Sequence, residues 1–290
     1  MAFALLADPS FERHQTPEGH PESPARNAAV RKALEPLRAK ALLVERRTAT
    51  EDEIALAHER DYLARARADI RAGRRELSTG DTHVSAASWD VATEATGGVL
   101  NAVDLVLAGR ARTAFCAVRP PGHHATPVRG MGFCIVNHIG VAARYAQKKH
   151  GVGRVLIVDW DVHHGNGTQD IFYRDGSVLF LSTHQHPWYP GTGLAHERGE
   201  GKGEGKILNF PLPAGSGRAE IVVRAFQQEL MRQAKDFRPD LVMISAGFDS
   251  REGDPLGRFR LTDTDYRDLT RVMLEIADQY CSRRVVSVLE

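Results

Sequence analysis

The sequence has almost no net charge, only three cysteines and no long apolar segment. A membrane-spanning helix needs roughly 20 consecutive apolar residues, and no stretch approaches that length. The formal net charge of +1 leaves no global field that would attract nucleic acid or an anionic membrane. Cys116, Cys134 and Cys281 are odd in number and widely spaced, which excludes a disulfide framework and a CxxC zinc ribbon. Separate thiols suit a reducing cytosol. The opening MAFALLADPS lacks the basic region and the long apolar region of a signal peptide. The sequence therefore predicts a cytoplasmic protein.

Short continuous apolar runs alternate with helical patterns along most of the chain. Continuous hydrophobicity is typical of parallel strands that are buried on both faces. The runs are TAFCAV (113–118), RVLIVDW (154–160), VLFLST (178–183), DLVMISAG (240–247) and RVVSVLE (284–290). The helical patterns cover 88–108, 137–151, 218–236 and 263–280, and Thr262 or Thr264 is the expected N-cap of the last. This alternation predicts βαβ units in one open α/β domain, whereas residues 1–85 are less regular.

Polar side chains suited to bind a ligand follow four of the predicted strands. In strand order they are His123 and His124, then Asp159, Asp161 and His163, then Ser182 and His184, then Asp249. Ligands of open α/β sheets bind beyond the carboxyl ends of the strands. The four groups therefore predict a single site at that edge of the sheet.

The stretch VDWDVHHGNG (158–167) predicts a metal site. Asp159, Asp161 and His163 are spaced by two, so in extended backbone their side chains point to one side. A carboxylate, an imidazole and a further carboxylate from Asp249 make three ligands and leave a position open, as a catalytic zinc site requires. A bound ion would compensate the negative charge of carboxylates that would otherwise be unpaired in a partly desolvated site. The alternatives are a structural cluster or capped loop and, for Cys134, a small buried thiol rather than a nucleophile.

Five motifs occur in a fixed order: VRPPGHHA (118–125), GFCIVNH (132–138), VDWDVHHGNGTQ (158–169), YPGTG (189–193) and SAGFDSREGDPLG (245–257). Together they resemble the histone deacetylase superfamily, specifically its class II-like and bacterial deacetylase-like amidohydrolases. The resemblance runs from about residue 19 to the last residue. It implies the arginase/deacetylase fold, an open parallel sheet of about eight strands flanked by helices, in one catalytic domain over residues 1–290.

The resemblance also implies two metal sites. The matching zinc ligands are Asp161, His163 and Asp249. Zinc is the expected ion, with Fe²⁺ as the alternative. An inner monovalent site, usually for potassium, matches Ser182, Thr183 and the backbone carbonyls around Asp159, Asp161 and His163.

For catalysis, the resemblance implies that His124 is the general base and then the general acid. His123 matches its electrostatic partner, and Asp159 matches the carboxylate that orients His123. Asn166 stands at the position facing His124, as in the class II pattern, where class I members have an aspartate. An amide stabilises imidazolium less than a carboxylate does, so we expect His124 to be less basic than its class I counterpart.

For substrate binding, the resemblance implies a narrow acyl-lysine tunnel. Phe133 and Tyr189 match its aromatic walls, and the Gly132 carbonyl matches the acceptor for the substrate amide. The polyamine-selective eukaryotic branch has a glutamate after GDP, where this sequence has Leu256. Leucine offers no partner for a second ammonium group, so acyl-lysine is expected to be preferred over acetylspermidine.

The implied activity is metal-dependent hydrolysis of an acylated lysine or a related acylated amine, with no nucleic-acid or membrane partner. The family completes its site with a tyrosine from a Gly-Gly-Tyr loop after VLEGG-type text, and this sequence ends with VVSVLE at Glu290. The chain is therefore interpreted as a domain that is C-terminally truncated relative to the family, which leaves the activity of the 290-residue form open. The alternatives are a zinc-containing acyl-lysine-binding pseudoenzyme, an acetylpolyamine amidohydrolase and an arginase-like ureohydrolase with two manganese ions. Physiological substrate, acyl length and oligomeric state do not follow from the sequence.

Overall fold

The computed structural model describes residues 3–290 and divides into two compact units. Unit 1 comprises the described residues up to Gly151 together with Val286–Glu290, and unit 2 comprises Val152–Val285. The chain forms an open parallel sheet of eight strands flanked by helices, which confirms the predicted fold class. Among residues 3–290, no helix combines the length and the apolar character needed to cross a membrane.

Unit 1 contains strands β1 to β3 and nearly all of β8, in the sheet order β2-β1-β3-β8. The strands are β1 (Ala4–Ala7), β2 (Leu42–Leu43), β3 (Thr113–Ala117) and β8 (Val285–Leu289). The helices are α1 (Pro24–Arg38), α2 (Glu51–Ile54), α3 (Arg60–Arg71), α4 (Ser88–Leu107) and α5 (His138–His150), with a 3₁₀ turn at Pro9–Arg13. Helix α4 is buried over most of its surface, and α5 begins directly after Asn137, whose side chain accepts the N–H of Gly140 as an N-cap.

Unit 2 contains strands β4 to β7, in the sheet order β7-β4-β5-β6. The strands are β4 (Val155–Asp159), β5 (Val178–Gln185), β6 (Ile207–Leu212) and β7 (Leu241–Ala246). The helices are α6 (Asn166–Phe172), a π-helix (Ala219–Leu230) that continues as α7 (Met231–Phe237), and α8 (Asp263–Tyr280), with a 3₁₀ turn at Gly201–Gly203. Thr262 caps α8 with a reciprocal hydrogen-bond pair to Asp265, as one of the two predicted caps.

Strand register in unit 2 decides where the polar residues emerge. Strand β4 is buried at every position and lies between β5 and β7. Asp159 at its end is level with Ser182 in β5 and with Ser245 in β7. Because the strands are parallel and end near the same level, the segments that follow β4 and β7 start side by side.

Candidate active site

The segment that follows β4 bends through two hydrogen bonds from backbone to carboxylate. Oδ1 of Asp159 accepts the N–H of Asp161 at 3.1 Å, and Oδ1 of Asp161 accepts the N–H of His163 at 2.8 Å. Such bonds are Asx turns, which aspartate forms because its short side chain reaches the backbone two residues ahead. The strand therefore ends at Asp159, so the condition of an extended backbone through residue 163, under which the three side chains would point to one side, is not met. Turns, rather than the pleat of a strand, direct the side chains of Asp161 and His163.

The third acidic residue approaches from the end of β7. Oδ1 of Asp249 accepts the N–H of Val162 at 2.7 Å. Gly247 permits this close approach, because a Cβ at that position would overlap the Asp161 carboxylate. The two segments are therefore joined directly at the residue between Asp161 and His163.

Asp161, His163 and Asp249 form one cluster, called the metal group below. One donor atom of each lies within 4.8 Å of the other two. Nδ1 of His163 is 3.0 Å from Oδ1 of Asp161 and 2.9 Å from Oδ2 of Asp249. Asp159, which the spacing alone left as a candidate ligand, is not part of the cluster. Two carboxylates and one imidazole are a donor set that zinc accepts, and they leave coordination positions for water or substrate.

The metal group concentrates negative charge where little water reaches. The side chains of Asp161, His163 and Asp249 are 7%, 15% and 13% exposed. Burial and the neighbouring Asp161 charge raise the pKa of Asp249 to about 6. Burial opposes the charged form of His163, yet its hydrogen bonds to the two carboxylates raise the pKa of this imidazole to about 10. The electrostatics of the cluster therefore favour a positive charge beside the carboxylates.

In unit 1, His123 and His124 lie on a buried strap, residues 119–125, that follows β3. The two residues are 3% and 4% exposed, and their ring centroids are 3.9 Å apart. The side chain of Asn137 donates to the carbonyl of Ala125 at 3.1 Å. The N-cap of α5 thus also holds the strap that carries the tandem histidines.

Glu290, to which the sequence assigned no role, supports the same strap. Its Oε2 accepts the N–H of Gly122 at 2.6 Å and the N–H of His123 at 3.0 Å, and the residue is 5% exposed. A carboxylate that accepts successive amides fixes the backbone directly before the tandem histidines. The sequence carries one signal of this role. Glu290 is an acidic residue at the end of an apolar run, and a carboxylate that is buried there needs hydrogen-bond donors.

Comparison with known proteins gives the chain a family. A model of the histone deacetylase domain matches residues 20–290. The chain belongs to the histone deacetylase family. This membership confirms the resemblance that the five motifs indicated.

Relatives and a solved structure agree with this assignment. The rice (Oryza sativa subsp. japonica) protein "Histone deacetylase 10, chloroplastic" is 40% identical over 292 residues, which cover 94% of this chain and 66% of that protein. The "Histone deacetylase-like amidohydrolase" of Pseudomonas aeruginosa is 38% identical over 275 residues, which cover 94% and 72%. The crystal structure of the HDA15 HD domain has a TM-score of 0.91 at 36% identity and covers 100% of this chain and 85% of that chain. The chain thus spans about two thirds of the length of the rice protein, and both relatives carry the names of hydrolases.

The tunnel residues predicted from the deacetylase family fall in both units, and those of unit 1 are Gly132 and Phe133. A Cβ at Gly132 would overlap the His124 ring, so only glycine lets the chain pass this close. Phe133 has a φ of 69°, and its ring stands edge-on to His20 with centroids 4.6 Å apart. A left-handed conformation strains a bulky residue, and such strain concentrates at functional sites.

In unit 2, the predicted tunnel residues are Tyr189 and Leu256. The Tyr189 ring stands edge-on to His163 of the metal group, with centroids 6.2 Å apart. The Leu256 carbonyl accepts the indole N–H of Trp188 at 2.8 Å. Trp188 was not among the predicted site residues, although its position directly before Tyr189 was a signal.

The potassium site and the partners of the histidines stay predictions. Asp159 and Ser182 occupy level positions in β4 and β5, and both are fully buried. Thr183 is also buried, and within residues 3–290 its Oγ1 has no hydrogen-bond partner. Asn166 begins α6 in unit 2 and is 7% exposed. The burial of these four residues is compatible with their predicted roles and does not test them.

Proposed function

We propose that the chain is a zinc-dependent amidohydrolase that removes acyl groups, acetyl among them, from lysine side chains or related amines. One observation supports this most directly. The donor atoms of Asp161, His163 and Asp249 converge within 4.8 Å in a member of the histone deacetylase family. Zinc binds such oxygen and nitrogen donors, and Fe²⁺ is the alternative ion because it accepts the same set.

Asp161, His163 and Asp249 would hold the ion, and the other site residues would transfer protons and position the substrate. When bound, zinc supplies Lewis acidity that polarises an amide carbonyl and lowers the pKa of water. His124 takes a proton from the attacking water as general base and returns it to the departing amine as general acid. His123 stabilises the negative charge that develops on the substrate oxygen, and Asp159 orients His123. Asn166 faces His124 as a neutral amide, which keeps this base less basic than a carboxylate partner would.

The remaining predicted residues bind substrate and a structural ion. Phe133 and Tyr189 form the walls of the acyl-lysine tunnel, and the Gly132 carbonyl accepts the substrate amide. Ser182 and Thr183, with backbone carbonyls of the 159–163 segment, would hold potassium. Leu256 at the tunnel mouth favours acyl-lysine peptides over acetylated polyamines because it offers no partner for a second ammonium group. The predicted place of action is the cytoplasm.

Hydrolysis of an acetyl-lysine peptide by the zinc-loaded protein tests the proposal, with products identified by mass spectrometry. We expect the deacetylated peptide and acetate with the wild type and no product with His163→Ala, which lacks the one imidazole of the metal group. Peptide binding without hydrolysis would favour the acyl-lysine-binding pseudoenzyme. Preferential hydrolysis of N8-acetylspermidine would favour the acetylpolyamine amidohydrolase. A protein that holds stoichiometric zinc and neither binds nor hydrolyses these substrates would refute the proposal.

A further inference from the structure

An arginine and a tryptophan lie together on the surface of unit 2. Cζ of Arg258 is 5.7 Å from the centroid of the Trp188 ring. The indole N–H of Trp188 is in turn fixed by the carbonyl of Leu256 at 2.8 Å. A guanidinium over an indole face is a cation–π pair, which restrains the long arginine side chain. Arg258 and Trp188 are called the rim pair below.

Each member of the rim pair is next in sequence to a residue that lies close to the metal group. A Cβ at Gly257, which precedes Arg258, would overlap the side chain of Val162 and lie 2.8 Å from the carbonyl oxygen of Asp249. Tyr189, which follows Trp188, has its ring edge-on to His163. Both members of the rim pair therefore directly adjoin, in sequence, residues that lie against the metal group or the segment that carries it.

Within the described residues 3–290, no ion pair neutralises this positive charge. Arg258 is exposed, and none of the carboxylates in residues 3–290 forms an ion pair with it. Asp254 in the same loop uses one carboxylate oxygen to accept the N–H of Leu256 at 2.9 Å. The nearby Arg251, by contrast, is paired with Asp263 at 2.8 Å. An exposed and oriented guanidinium presents donors suited to a carboxylate from outside.

We propose that Arg258, held over Trp188, selects acyl-lysine peptides that carry an aspartate or glutamate close to the acylated lysine. The selection rests on the proposed function, because it requires an acyl-lysine side chain directed at the metal group. An extended peptide advances about 3.3 Å per residue, so residues one or two positions from the lysine pass over the surrounding surface. A carboxylate there meets the guanidinium, whereas a lysine there is repelled. The same charge also disfavours the free ammonium groups of an acetylated polyamine.

The test compares kcat/KM for three acetyl-lysine peptides that differ only in flanking residues, which are glutamate, alanine or lysine. An exposed ion pair changes kcat/KM by up to about fivefold. Attraction of the glutamate peptide and repulsion of the lysine peptide add. With each at about half of this limit in free energy, we expect the wild type at low salt to prefer the glutamate over the lysine peptide by about fivefold. Arg258→Ala should remove this preference, and Arg258→Glu should reverse it. About 0.5 M salt should reduce the wild-type preference because it shortens the screening length to a few ångströms.

Arg260→Glu is the matched control. Arg260 is also exposed and lies two residues further on, but its backbone N–H donates to the carbonyl of Ser216, and it is not a member of the rim pair. This variant should keep the wild-type preference to within about twofold, because the same charge change is then made away from the rim pair.

Two failures are distinguishable. Hydrolysis of all three peptides at equal rates by the wild type, or an unchanged preference in Arg258→Glu, would overturn the selection and leave the proposed function standing. If no peptide is hydrolysed, the proposed function fails. In that case the ratio of Kd values for the glutamate and lysine peptides, measured by calorimetry, tests the selection by the same criterion.

Discussion

Replacing Asp249 by alanine removes one of the three donors of the metal group, and its effect on zinc binding is expected to be large. The carboxylate also accepts the N–H of Val162 at 2.7 Å, so the change is expected to loosen the segment between Asp161 and His163. Loss of a residue that only supports a metal ligand typically weakens metal binding by about 10- to 100-fold. Loss of a residue that both binds and supports should therefore weaken zinc binding by more than about 100-fold.

The expected stability change follows from mass action. Free zinc at 100 times the wild-type Kd stabilises the folded wild type by about 2.7 kcal/mol. For a variant whose Kd is 100-fold higher, the same zinc concentration contributes about 0.4 kcal/mol. At roughly 2 °C per kcal/mol for a chain of this size, zinc raises the Tm of the wild type by about 5 °C and that of Asp249→Ala by about 1 °C.

The assay is a thermal melt with and without zinc, together with zinc per chain after dialysis, measured by plasma mass spectrometry. Asp263→Ala is the control, because Asp263 is an exposed acid that pairs with Arg251 outside the metal group. This control should show the wild-type Tm shift and one zinc per chain. Retention of one zinc per chain and of the full Tm shift by Asp249→Ala would refute the assigned ligand set.

His124→Ala should abolish hydrolysis and leave the zinc content unchanged, because the imidazole is proposed to act on water; full turnover in this variant would move the role of base elsewhere. Leu256→Glu should raise kcat/KM for N8-acetylspermidine relative to an acetyl-lysine peptide by about tenfold, or about 1.4 kcal/mol; an unchanged ratio would remove this residue from substrate selection. Glu290→Ala leaves the N–H groups of Gly122 and His123, on the strap of residues 119–125, without their carboxylate acceptor. At about 1–3 kcal/mol for each unsatisfied group, the free energy of unfolding measured by urea titration should fall by about 3 kcal/mol. A loss below about 0.5 kcal/mol would contradict this. Burial opposes ionisation of Glu22, but its partners, His14 foremost, lower the pKa of this carboxyl below the ordinary 4.5. The contribution of the ionised Glu22 to stability is therefore complete above pH 4.5 and is lost as the pH falls through the lower pKa of the folded state. Glu22→Gln should therefore lose less stability than the wild type on acidification below about pH 4.5, and parallel curves would disprove this.

The strands that carry the site were predictable because strands buried on both faces leave a continuous apolar signature. The five predicted runs coincide with β3, β4, β5, β7 and β8 to within two residues at each end. Three strands were not predicted, and each has a physical reason. Strands β1 and β2 are only four and two residues long. Strand β6 lies at an end of the strand order and contains Asn209, a residue type that is depleted in strands, and Pro211, which a central strand would not tolerate.

The convergence of Asp161, His163 and Asp249 was predictable, but the backbone that directs their side chains was not. The spacing aligns Asp159, Asp161 and His163 only where the backbone is extended, whereas successive Asx turns bend this segment. A carboxylate can accept from its own backbone as well as point from a strand, and the sequence does not tell which geometry wins.

Contacts between distant segments were also beyond the sequence. Glu290 reaches Gly122 across 168 residues, and Trp188 reaches Leu256 across 68. No local pattern marks such a pair, because each residue is unremarkable in its own segment. The support of the histidine strap and the rim pair therefore emerge only from the folded chain.

Titration of the metal-free protein with zinc tests most directly whether one ion on the metal group supports amide hydrolysis. Zinc per chain and acetate release from an acetyl-lysine peptide are measured in the same samples. We predict that the rate rises in proportion to bound zinc and stops rising at one ion per chain, and that His163→Ala shows no such rise. A full rate without metal, or a rate that keeps rising until two ions are bound per chain, would contradict the mononuclear zinc centre.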